Sequence, residues 1–255
     1  MTAATRVRAL GRAELTLLLR NRTALAVALL LPVGSVAAWR PAMGQLSGSG
    51  AIGQLNRQLT IGGIGLVLLY VVYYNLVTAY VARREERVLK RLRTGEPTDL
   101  EILAGTAVPA VAVALAQCLA LVAAGTALLH LGLPRRPDLL LAALVLGIVM
   151  QVVLAAASST LTRSVELAQL TTAPLLVLSA VGSGLLIPLA SMPQLMGEVC
   201  RWLPLTPVLD LVRAGWVGGA AAGPAPVLRD LGAALAWTLL SGYAVRRWFR
   251  WEPRR

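Results

Sequence analysis

Charged residues in this chain are gathered into short clusters, and the stretches between them are long enough to cross a bilayer. Thr60 to Ala82 is 23 residues without a charge, Thr106 to Leu129 is 24, Leu139 to Thr162 is 24 and Leu167 to Gly197 is 31. A helix needs roughly 20 apolar residues to traverse a hydrocarbon core about 30 Å thick. Helices buried in a soluble core do not need such lengths, least of all four times in one chain. Two further candidates are shorter. Thr23 to Trp39 lies between Arg22 and Arg40, whose stems can snorkel outward. Leu231 to Val245 lies between Asp230 and Arg246 and is extended by Trp248 at the interface. Six spans are therefore expected, at about 23–39, 60–82, 106–129, 139–161, 169–190 and 230–248. They form a single transmembrane domain over 1–255 with no ATPase domain, and the first is read as a retained helix rather than a cleaved leader.

A net charge of +12 in a soluble protein would point to nucleic acid, but here it reports topology. With the N-terminus inside and six spans, the inner side carries 17 of the 24 basic residues: five from Arg6 to Arg22, six from Arg83 to Arg93, Arg163, and five from Arg246 to Arg255. The positive-inside rule predicts that asymmetry and places both termini in the cytoplasm of a cell membrane. No nucleic-acid partner is expected; membrane lipid is.

The segments between spans carry their own signals. Val7, Leu10, Leu17 and Leu18 share a helical face opposite Arg8 and Arg12, as in an interfacial helix. After span two, Arg83 to Thr94 reads as a basic helix with a Glu86–Lys90 pair at i,i+4. Gly95 and Pro97 end it, and Thr98-Asp99-Leu100-Glu101 reads as a capping box that starts the next helix, with Pro109 early in it. Before span six, Pro193 begins a short helix with Leu195, Met196, Val199, Cys200, Trp202 and Leu203 on one face. Thr206 caps a second, with Pro207 at its first position and Val208, Leu211, Val212, Gly215 and Trp216 as its stripe. Such a pair, too charged to span, is expected as a re-entrant or interfacial hairpin at the outer surface.

The chemistry of a self-contained enzyme or pump is missing. His130 is the one histidine, and Gly182-Ser183-Gly184 has no base placed to activate its serine, so these small residues are read as helix packing. Lys90 is the one lysine and no Gly-rich loop precedes it, which excludes a phosphate-binding loop of the G-x-x-x-x-G-K-[ST] type. Neither cysteine has metal-ligand spacing, no cofactor is expected, and no span core carries a charge of the kind that ion-coupled transporters use. The polar feature at mid-depth is span two, with Tyr70, Tyr73, Tyr74 and Asn75 near its centre and Tyr80 near its end. Phenol and amide groups there need partners. They either line a cavity for an amphipathic substrate or make helix–helix contacts.

The run Arg83 to Arg93 with its Gly-Pro turn and Leu100-Glu101-Ile102-Leu103-Ala104-Gly105, the opening Glu14 to Pro32, and the stretch Met192-Pro193 to Leu203-Pro204-Leu205-Thr206-Pro207 resemble, in order and spacing, the ABC-2 type transporter permeases, and the compact form resembles the drug- and antibiotic-exporting members. The resemblance implies an all-α membrane protein: six transmembrane helices, an N-terminal interfacial helix, a cytoplasmic elbow helix after span two, and an external re-entrant hairpin before span six. It implies a permease without its own ATPase site, paired with a second permease copy, as homodimer or heterodimer, and with a separate ATP-binding cassette ATPase subunit. Contact with that subunit falls on Glu85, Glu86, Arg87 and Lys90, and more weakly on Glu14 and Arg20. Tyr70, Tyr73, Tyr74 and Asn75 are the candidate substrate pathway. Outside the transporter class stand a non-catalytic membrane assembly protein and a membrane-embedded enzyme.

Overall fold

Uninterrupted apolar runs produce long helices, and the computed structural model is built from them; it describes residue 34 and residues 52–86, 98–184 and 192–249. The expected N-terminal interfacial helix, almost all of span one, most of the elbow and the end of span five lie outside these residues. Among the described residues there is no strand. Helix α1 covers Ile52–Glu85, α2 Asp99–Ala127, α3 Pro137–Ser159, α4 Ala168–Gly182, α5 Gln194–Arg201, α6 Leu205–Val217 and α7 Pro224–Trp248. Three of them, α1, α2 and α3, are both long and apolar enough to cross a membrane. They contain the expected spans 60–82, 106–129 (but for its last two residues) and 139–161 (to Ser159). α7 begins six residues before the expected 230, because Gly223 and Pro224 start a helix that carries Arg229 and Asp230 in its early turns.

Local signals set several helix ends. The capping box of α2 is present as read. The Thr98 hydroxyl accepts from the Glu101 N–H at 3.4 Å, and a Glu101 carboxylate oxygen accepts from the Thr98 N–H at 2.7 Å. At the far end of α2, His130 takes a left-handed φ of 52°, a conformation in which His is enriched among non-glycine residues. The chain then turns tightly into α3, which opens on Pro137.

α3 is the central helix, packed against α1, α6 and α7. Ala143, Gly147, Met150, Leu154 and Ala155 are buried along it. Gly147 matters for approach: a β-carbon there would lie 2.7 Å from Val208 Cγ1 of α6. At Gly215 a β-carbon would lie 2.8 Å from the Leu140 backbone nitrogen, so α6 rests directly on the backbone of α3. The Arg136 N–H donates to the Gly215 carbonyl at 2.9 Å across the same contact.

The tandem helices before span six, expected as a re-entrant or interfacial hairpin, differ from one another in burial. α5 is amphipathic, starts after Pro193 as read, and leaves Leu195, Met196, Val199 and Trp202 exposed. α6 is enclosed by the bundle. Its stripe residues Val208, Leu211, Val212, Gly215 and Trp216 are buried, but so is Leu209, which the stripe left out. Apolar residues surround most of its circumference, and such a helix is stable inside a bundle rather than on its surface. Thr206 does not cap it. The helix starts at Leu205, and the Thr206 hydroxyl donates to the Cys200 carbonyl at 2.6 Å, tying α6 to the end of α5.

Candidate functional site

The middle of α1 departs from α-helical geometry. Val67–Tyr74 is π-helical, with the Asn75 N–H donating back to the Tyr70 carbonyl. An i→i+5 ladder widens the turn beyond 3.6 residues, and such segments are rare and concentrate at functional sites. The wider turn re-sorts the polar side chains. On a regular helix Tyr70, Tyr73 and Tyr80 would form one rough stripe. In the π-helix residues i, i+4 and i+5 share a face, so Tyr70 joins Tyr74 and Asn75 and separates from Tyr73.

The four candidate pathway residues therefore divide. Tyr70 is 51% exposed, Asn75 is exposed and Tyr74 half-buried, with the Tyr70 and Tyr74 rings edge-to-face at 6.4 Å. They form an amphipathic step near the midpoint of a 34-residue helix. Tyr73 is buried, and its hydroxyl donates to the Ser158 hydroxyl of α3 at 3.1 Å. Tyr80, near the end of the expected span, is also buried and donates to the Leu103 carbonyl of α2 at 3.1 Å. Both make helix–helix contacts, each satisfying a phenol that apolar surroundings would leave unpaired.

Below this step, α1 is bolted to its neighbours by Arg84, whose side chain is among the most buried in the molecule at 1% exposure. Its guanidinium donates from Nη1 to the Ser159 carbonyl at 3.0 Å and from Nη2 to the Thr162 carbonyl. These are carbonyls at and just beyond the C-terminal end of α3, where a helix leaves its acceptors unpaired and its dipole favours a cation. The Thr162 and Thr171 hydroxyls then share a hydrogen bond of 2.8 Å, carrying the connection to α4. In this α3–α4 loop the Ser164 hydroxyl beside Glu166 holds that exposed carboxyl below the ordinary carboxylate range. Glu85 and Glu86 follow Arg84 directly and are exposed. Arg87, Lys90, Glu14 and Arg20 lie outside the described residues.

The opposite end of the bundle repeats the device. Arg213 of α6 donates to the Ser183 and Gly184 carbonyls at 3.1 and 3.3 Å while pairing with Asp210. Gln58 of α1 reaches the same Gly184 carbonyl at 2.8 Å. Gly182 packs closely, since a β-carbon there would lie 2.2 Å from Leu203 Cδ1, in keeping with the packing role read for Gly182-Ser183-Gly184.

Two polar residues inside the spans are not among the candidates the sequence singles out. Gln117 of α2 and Gln151 of α3 are both fully buried, and Gln151 finds no hydrogen-bond partner among the described residues. A single amide in a 24-residue uncharged run was the available signal. Arg84 was missed for a different reason: six basic residues in eleven look alike until one is seen to be buried.

A scan of protein families matches residues 5–216 to the ABC-2 type transporter model, which covers most of the chain and every feature described so far except α7. The chain belongs to the ABC-2 type transporter family. As a family member it is a multi-pass membrane protein carrying a transport permease domain, and membership implies an ATP-binding cassette ATPase as its partner. No curated protein shows significant similarity to the chain.

Proposed function

We propose that this ABC-2 permease moves an amphipathic or hydrophobic substrate, such as a drug, an antibiotic or a lipid-like molecule, out of the cell across the cell membrane, driven by ATP hydrolysed on a separate subunit. It has six spans with both termini cytoplasmic and works with a second permease copy. The observation that carries the reading is the step of Tyr70, Tyr74 and Asn75, left open by the π-helical turn in an otherwise apolar bundle. Two phenol faces and an amide offer an amphipathic molecule both apolar area and hydrogen bonds at a depth where the hydrocarbon core of a bilayer offers no hydrogen-bond partner. Tyr73, held by Ser158, supports that wall from behind.

Glu85 and Glu86, with Arg87 and Lys90, form the ATPase contact, and Glu14 and Arg20 a weaker one. Arg84 makes the contact consequential: a shift of the elbow pulls on the α3–α4 loop through the Ser159 and Thr162 carbonyls and reaches α4 through Thr171. α5 and α6 form the outer gate. The test is ATP-dependent efflux of a lipophilic cation from proteoliposomes containing the permease and its ATPase. Tyr70→Phe with Tyr74→Phe and Asn75→Leu should change the range of substrates moved while leaving insertion intact. An unchanged range would refute the pathway, and Glu85→Arg with Glu86→Arg retaining full transport would refute the contact.

A further inference from the structure

A second feature lies away from the α1 step and plays no part in the transport reading. Where the C-terminal ends of α1, α3 and α7 meet the start of α2, the bundle leaves a groove of about 500 Å³, within the ~300–1,000 Å³ typical of ligand sites. Its walls are apolar: Leu103 and Ala104 of α2, Val153 and Ala156 of α3, Leu239 and Gly242 of α7. Gly242 leaves room along the α7 wall, since a β-carbon there would meet nothing closer than Val153 Cγ1 at 3.8 Å. Leu239 is 73% exposed beside it, so the groove opens sideways toward the region a bilayer would fill rather than inward. The mouth is different in character. Tyr243 and Arg246 of α7 line it, and Arg247 follows, all exposed and in the last turns of the helix.

We infer that this groove is a binding site for an anionic phospholipid, with an acyl chain between α2, α3 and α7 and the headgroup phosphate on Arg246 and Tyr243. Charge complementarity selects this occupant: an apolar trough ending in Arg246 and Tyr243 matches a molecule with an apolar tail and a negative head, and basic pockets between membrane helices hold such headgroups. A phosphate accepts hydrogen bonds from the guanidinium and from the phenol together.

The test is native mass spectrometry of the full-length chain, purified in mild detergent and titrated with phosphatidylglycerol or with phosphatidylcholine of identical chains. One phosphatidylglycerol per chain should persist and outcompete phosphatidylcholine. Arg246→Gln should weaken it about fivefold. Gly242→Leu, which fills the trough, should abolish retention, and Gly242→Ala should keep it. Arg246→Gln leaves the buried core untouched, so it decides the matter even if the leucine variant misfolds. A photoreactive residue at position 239 should give a lipid adduct. Equal retention of the two lipids, or cross-links to a second copy or to the chain's own N-terminal segment, would overturn the proposal.

Discussion

Replacing Arg84 by Met removes the two hydrogen bonds that join α1 to the end of α3 and the loop after it. Methionine keeps an unbranched apolar stem, so packing changes little, while both guanidinium bonds to Ser159 and Thr162 are lost. Hydrogen bonds to a charged donor contribute about 1.5–3 kcal/mol each. The two carbonyls regain other partners in part, because the exposed loop residues Leu161 and Arg163 flank one of them. A net loss of about 3 kcal/mol follows, close to the lower bound for both bonds. Arg84→Lys keeps the charge but has no planar fork to reach two carbonyls at once, so it should lose about half as much. Arg163→Met, at an exposed position of the same loop, should change stability by less than about 0.5 kcal/mol. Reversible unfolding of the detergent-solubilised chain, followed by circular dichroism across a denaturant series, measures all three. Equal stability of Arg84→Met and Arg163→Met would mean that the guanidinium bonds contribute nothing net.

Other outcomes follow from single contacts. Tyr73→Phe should cost about 1 kcal/mol in the same unfolding assay through loss of the Ser158 bond, whereas Tyr70→Phe should cost nothing measurable. Gly215→Ala should destabilise by about 2–3 kcal/mol, because its β-carbon meets the backbone of Leu140 and Arg136, which cannot rotate away. Gln151→Leu should raise the thermal midpoint, since it removes a buried amide without a partner among the described residues; a lowered midpoint would mean that the amide is satisfied by bound water.

What could be read in advance followed the range of the interactions involved. The charge-free runs sufficed for α1, α2 and α3, and the Thr98–Glu101 box for the start of α2, because hydrophobic length and capping are local properties of the chain. The burial of α6 was not legible. Asp210 and Arg213 made it read as a re-entrant or interfacial helix, and it takes the fold to show that they pair with each other while Arg213 reaches the Ser183 and Gly184 carbonyls. The candidate site was half legible. Tyr70, Tyr73, Tyr74 and Asn75 stood out by residue type, but their division into an open face and a buried one depends on the π-helical turn, which a pattern search at 3.6 residues per turn cannot register.

Membership of the family implies that this permease draws its energy from an ATP-binding cassette ATPase subunit. The most direct measurement is affinity purification of the tagged chain in mild detergent, with mass spectrometry of the proteins that accompany it. A stoichiometric ATP-binding cassette ATPase should co-purify and should be lost when Glu85 and Glu86 are both changed to Arg. A pure permease oligomer with no ATPase, from cells that express every subunit, would contradict that expectation.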